Sequence, residues 1–120
     1  MHYLWIALGS ALGGVSRFAL GAWILEKYGG TLPWGTLFIN VLGSGLIGVF
    51  AIAVKPAPWR QFLMVGICGG FTTFSSFSLE TLLLLREGHS GRALAYVVLS
   101  VFVCLASVWA GHLAGSALTD

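Results

Sequence analysis

Charge is what this sequence most lacks. Six Lys and Arg and four Asp and Glu make up 8% of its 120 residues, against 58% hydrophobic residues. A soluble domain carries about 25% charged residues, so this chain cannot cover itself with a hydrated surface and leaves no room for a soluble domain. The formal charge of +2 is small and dispersed, which argues against a nucleic-acid partner. Cys68 and Cys104 both fall inside apolar runs, so neither a structural disulfide nor a paired-cysteine metal motif is expected. His2, His89 and His112 lie in different segments and form no ligand spacing. There is no Gly-x-x-x-x-Gly-Lys-Ser/Thr loop and no pair of carboxylates at an active-site spacing, so the sequence does not read as an enzyme. A cleaved signal peptide is not expected, because the amino end lacks a basic region and Arg17 interrupts the first apolar run.

What the chain has is length of apolar sequence. Its mean hydropathy is +0.93, and its few charges divide it into four stretches of roughly 20 residues or more, each enough for a spanning helix. They run over about 3–26, 32–54, 59–86 and 91–118, with connections around Lys27–Thr31, Lys55–Pro58 and Glu87–Gly91. The expected fold is an all-α integral membrane protein, a single four-helix unit over residues 1–120, surrounded by membrane lipid. Trp5, Trp23, Trp34 and Trp59 sit near the span ends, where amphipathic rings favour the interface, and Trp109 lies deeper as a packing residue.

The charges do not choose a side. Four spans put Lys55 and Arg60 on one side and Lys27, Arg86 and Arg92 on the other, which is almost no bias for orientation. Two readings stay open: a single topology with a weak bias, or insertion in both orientations with pairing of inverted copies. Small residues recur at four-residue spacing as Gly9 and Gly13, as Asn40, Ser44 and Gly48, and as Ser107, Gly111 and Gly115. Such faces let backbones approach closely, whether inside one subunit or between two.

The most unusual stretch is Gly66-Ile-Cys-Gly-Gly-Phe-Thr-Thr-Phe-Ser-Ser-Phe-Ser-Leu-Glu80, which gathers glycines, hydroxyls and three phenylalanines in mid-span. Lipid does not tolerate unsatisfied polar groups at that depth, so the segment faces protein, water or an ion. Gly69, Gly70 and the Thr72–Thr73 pair suggest a break in the third helix. Thr73, Ser76 and Glu80 fall on one stripe, and Tyr96, Ser100 and Ser107 share a face of the fourth span with Cys104 beside them. Each hydroxyl can either serve an ion track or bond a carbonyl one turn back. Asn40 can offer amide hydrogens to an anion or tie two helices together. Arg17 either draws anions to a vestibule or braces helix-end carbonyls.

Gly13-Gly-Val-Ser-Arg17, then Gly35-Thr-Leu-Phe-Ile-Asn40-Val-Leu-Gly-Ser44, then the Gly66–Glu80 segment occur one per successive span. Together they closely resemble the Fluc, or CrcB-type, fluoride channels, over essentially the whole chain. The usual Phe-Ser-Thr-Phe core reads Phe74-Ser-Ser-Phe77 here, which keeps a hydroxyl. The resemblance implies a passive, selective channel exporting fluoride from the cytoplasm across the cell inner membrane. It further implies an antiparallel, dual-topology homodimer with two fluoride pores and a buried central sodium ion. Carried onto this sequence, the resemblance assigns the fluoride pore to Asn40, Phe74 and Phe77; Ser75, Ser76, Tyr96 and Ser100 are read from their positions as the hydroxyls of a polar track beside them. It leaves Arg17 and Glu80 at a vestibule or in a structural role, Glu80 by orienting hydroxyls. It assigns the sodium to the backbone carbonyls of Gly69 and Thr72. Phe71 stays a packing residue. The rival reading is a small dual-topology proton-coupled multidrug transporter, which would want a mid-span carboxylate; a third is an assembly subunit that transports nothing.

Overall fold

The computed structural model describes residues 2–29 and 32–119, so that Gly30 and Thr31 of the first connection lie outside the described residues. Among the described residues, four helical stretches are long and apolar enough to cross a membrane: His2–Tyr28, Trp34–Ala53, Ala57–Arg86 and Ser90–Thr119. The longer ones hold 27 to 30 residues, or about 40–45 Å of helix against a hydrocarbon layer of about 30 Å. They extend the molecule to 48 Å along its longest axis. Leucines, valines and phenylalanines cover the outside, with Val15, Phe18, Leu25 and Phe102 all at least two-thirds exposed. That is the surface of a multi-pass membrane protein, whose outer shell is solvated by lipid rather than water. Trp109 belongs to this shell at 67% exposure, so it is not the packing residue its depth suggests.

Inside, the core is thin: Ile24, Ile39, Cys68, Phe71, Ala93, Tyr96 and the hydroxyl-bearing Ser100. Phe71 packs as the sequence indicates. Backbone contact holds the rest. The first helix lies against the third span through Gly9, Gly13, Gly66 and Gly70; a β-carbon on Gly66 would stand 2.8 Å from the Gly9 Cα, and one on Gly13 would strike the Ile67 carbonyl. The second helix lies against the fourth in the same manner, a β-carbon on Gly111 striking the Gly45 carbonyl and one on Gly48 the Val108 carbonyl. The Ser107 hydroxyl crosses that seam to donate to the Val41 carbonyl at 2.6 Å. All three small-residue series therefore pack within one subunit. Arg60 finishes the second helix by donating to the carbonyls of Ala51 and Val54 at 3.0 and 2.7 Å, two of the acceptors a helix end leaves free.

The third span changes its winding on the way. It starts as an α-helical turn at Ala57–Arg60 with Pro58 in the first turn, widens to a π-helix over Gln61–Cys68, and closes with an α-helical turn at Gly69–Phe71. Thr72 (φ −82°, ψ 156°) and Thr73 (φ −149°, ψ 116°) are extended. The helix resumes at Phe74 and runs to Arg86, its amino end capped by the Thr73 hydroxyl, which accepts from the Ser76 N–H at 3.2 Å. Gly69 itself is ordinary right-handed helix, so its conformational freedom is not used here. Among the described residues, the glycine that needs it is Gly88, at φ 82° in the turn before the fourth helix.

Candidate functional site

The two extended threonines open hydrogen bonds that a continuous helix would close. The Thr73 N–H, which would go back to the Gly69 carbonyl, donates instead to Asn40 Oδ1 at 2.9 Å. The Asn40 Nδ2 amino group donates in return to the Thr73 carbonyl at 3.2 Å. The Ser76 N–H, due to the Thr72 carbonyl, is taken by the Thr73 hydroxyl. Both donors that helical geometry would bring to the Gly69 and Thr72 carbonyls are thereby engaged elsewhere. The Gly70 carbonyl accepts from Arg17 Nε at 3.4 Å, where the positive guanidinium also suits a helix carboxyl end.

Two concavities meet at Thr73, the residue that lines both. The larger encloses about 620 Å3 between the first and second helices and the resumed half of the third span, and carries Arg17, Thr36, Ser76 and Glu80 on its wall. Glu80 is fixed there from two sides: Thr36 Oγ1 donates to one carboxylate oxygen at 2.9 Å and the Tyr96 hydroxyl to the other at 2.8 Å. The smaller is a groove of about 410 Å3 lined by Asn40, Gly69, Thr72, Phe74, Phe77 and Ser100. Two rings run along its flank, with 5.5 Å between the Phe74 and Phe77 centroids, and Tyr96 packs behind them, 5.1 Å from Phe77. Phe74 is 77% exposed and Tyr96 wholly buried.

The Ser100 hydroxyl is the exception among the buried polar side chains. It sits at 7% exposure in the groove wall and has no hydrogen-bond partner among the described residues. Hydroxyls in membrane helices commonly bond a carbonyl one turn back, as Ser78 and Thr81 do on the third span. Ser100 does not, so its donor is free to meet whatever occupies the groove.

Most of the residues singled out from the sequence therefore come together. Asn40, Phe74, Phe77, Ser100, Gly69 and Thr72 share the groove, while Arg17, Ser76 and Glu80 share the adjoining cavity. Tyr96 lines neither and acts through its contacts with Glu80 and Phe77. Ser75 also lines neither, its hydroxyl lying 3.3 Å from that of Thr73. Sequence reasoning did not single out Thr36, the second anchor of Glu80. It stands one turn before Asn40 on the second helix, and that spacing of two polar side chains in an apolar span could have exposed it.

The chain matches the family model described as CrcB-like protein, Camphor Resistance (CrcB), over residues 4–112. It is 54% identical to a fluoride-specific ion channel FluC of Opitutus terrae, across 98% of this chain and 95% of that protein. It is 50% identical to one of Methylocella silvestris, across 100% and 97% respectively. A Thermus thermophilus protein of the same name is 48% identical, across 98% and 95%.

Proposed function

The chain belongs to the CrcB-like family, and we propose that it is a passive, selective fluoride channel, not an enzyme, through which the anion leaves the cytoplasm down its electrochemical gradient. The observation that carries this reading is the groove, where an Asn40 amide, two phenylalanine rings and the unpartnered Ser100 hydroxyl face one space. Fluoride holds its water strongly, so a pore must replace that water with donors and still let the ion go. Asn40 keeps one amide hydrogen beyond the one given to Thr73. Ser100 adds a hydroxyl. Phe74 and Phe77 offer ring edges, which are weakly positive and attract the anion without the grip of a lysine. Arg17 raises the anion concentration in the adjoining cavity, and Ser76 lies on the same wall to receive the ion.

Glu80 speaks against the proton-coupled transporter. Its two oxygens accept from Thr36 and Tyr96, so the carboxylate orients hydroxyls and is not an open exchange site for a cationic substrate. A subunit that only assembles has no use for donors and ring edges in one groove.

Two inverted copies in the cell inner membrane complete the reading. The near-balanced charges allow both orientations. The small-residue faces are occupied within the subunit, which leaves the exposed Gly69 and Phe74 side of the groove to meet the second copy. The Gly69 and Thr72 carbonyls from each copy would hold a sodium ion there. Hard oxygen donors suit such a cation, and the hydrogen bonds diverted from both carbonyls support the fit. A bound cation supplies positive charge between the two anion paths.

The test is ion release from liposomes holding purified protein. Fluoride should escape within seconds of opening a potassium shunt while chloride stays. Equal release of both ions, or of neither, overturns the proposal.

A further inference from the structure

The protein has two cysteines, and both line the groove. Cys68 comes from the third span and Cys104 from the fourth helix, and both are free thiols. The same wall carries Ser100, 93% of its surface covered and its oxygen without a partner. Neither thiol has a part in the anion path proposed above. Hydroxyls would line such a path as well, and a thiol is a poor donor to a hard anion. What thiols do well is bind soft metal ions, and monovalent copper and silver are the ions that sulfur donors favour. Among the described residues no three His, Cys, Asp or Glu side chains gather, which points away from a tetrahedral centre. Silver(I) and copper(I) accept two sulfur donors, so two thiols from different helices meet their needs.

We propose that the groove contains a binding site for a soft monovalent cation, with Cys104 and Cys68 as its sulfur donors and the Ser100 oxygen beside them. Cys104 is the more accessible of the two and takes the metal first; Cys68 is 3% exposed and closes behind it. In the binding step one sulfur–metal bond forms as one thiol gives its proton to solvent. The resulting thiolate–metal pair is neutral, as a low-dielectric site demands. The second thiol coordinates without losing its proton. No electron is transferred. Because Asn40, Phe74, Phe77 and Ser100 line the same groove, a metal ion bound there obstructs the anion path. This last consequence rests on the channel reading; the metal site itself does not.

The experiment uses the full chain and silver nitrate in chloride-free buffer. Silver bound per subunit is counted by native mass spectrometry of the detergent-solubilised protein, and fluoride release from liposomes is measured with and without silver. One silver per subunit is expected in the parent. Cys104→Ser and Cys68→Ala should each weaken binding at least tenfold, and the double variant should bind none. Undiminished binding by the double variant, or by both single variants, overturns the site. Flux is compared as the ratio with and without silver within each variant, so a change in basal flux does not enter. Silver should block the parent more than tenfold, with recovery on adding dithiothreitol, and should spare the double variant. Silver that binds through the cysteines yet leaves fluoride release unchanged supports the site and removes the anion path from this groove.

Discussion

Asn40 grips Thr73 by both ends of its amide, accepting from the Thr73 N–H at 2.9 Å and donating to the Thr73 carbonyl at 3.2 Å. A side chain on the second helix thus pairs with extended backbone 33 positions later, in the manner of a one-residue β-ladder. The consequence is positional. Phe74 begins the next helical segment directly after Thr73, so the Asn40 grip fixes where the ring-bearing helix starts.

Asn40→Asp should abolish fluoride throughput. The aspartate can still accept from Thr73 but cannot donate to its carbonyl, and it places a charge or an acceptor where the groove needs donors. Leaving the carbonyl unmatched costs about 1–3 kcal/mol, so the melting temperature should fall as well. A folded variant with parental flux would remove Asn40 from the path.

Ser100→Ala separates function from stability. No hydrogen bond is lost when this hydroxyl goes, because it makes none, and an unsatisfied buried polar group is itself a cost of about 1–3 kcal/mol. The variant should therefore melt at or above the parental temperature while fluoride release slows. A loss of stability without a loss of flux would mean that the hydroxyl has a structural partner and no role with the anion.

Phe74→Ile and Phe77→Ile test ring edges against bulk. Both keep an apolar side chain and remove the quadrupole. Phe74, at 77% exposure, is barely packed within the subunit, so its replacement should leave the fold untouched and still reduce flux at least tenfold. Parental conductance in both variants would make the rings packing elements and move the anion path elsewhere.

Gly13→Ala and Gly111→Ala should destabilise strongly, since the new methyl groups would strike the backbone carbonyls of Ile67 and Gly45. Overpacking of this kind costs about 1–3 kcal/mol or more. Gly14→Ala, with nothing within 4 Å of its β-carbon, is the matched control and should be neutral. Thermal melts of the three side by side decide it: equal stabilities would mean that the helices are free to part.

Inverted pairing is tested with cysteine labels at Lys55 and Arg92 in a background without Cys68 and Cys104. Each should be reachable from both sides of the membrane, and two versions biased to opposite orientations by added lysines should work only together. Labelling from one side alone would end the antiparallel reading and the sodium site with it.

The spans were legible because a shortage of charge admits few alternatives: Arg17 is the one Lys or Arg well inside the first helix, and Lys27, Lys55 and Glu87 fall at or beside the connections. The gathering of Asn40 with Phe74 and Phe77 was legible only through the family resemblance, because a lone membrane asparagine or phenylalanine reads first as a packing residue. Partner choice was not. Gly9 and Gly13 could equally have met a second copy, and only the tertiary arrangement assigns them to Gly66 and Ile67. The π-helical winding of Gln61–Cys68 has no period that apolar residues of one kind can reveal. The clasp of the Asn40 side chain on the Thr73 backbone, and the convergence of Thr36 and Tyr96 on Glu80, join groups from separate segments that no spacing along one helix brings together.

Where the first helix meets the third span at Gly9, Gly13 and Gly66, and the second meets the fourth at Gly48 and Gly111, backbone lies directly against backbone. A side chain can turn to another rotamer; a peptide plane in a hydrogen-bonded helix cannot. The gaps between these helices are therefore gauged by parts that do not adjust, and a wider guest cannot make room for itself by induced fit. Discrimination by size in such a frame is a property of stiffness, present before any ion arrives and as hard for a large halide to overcome as the helices are to pull apart.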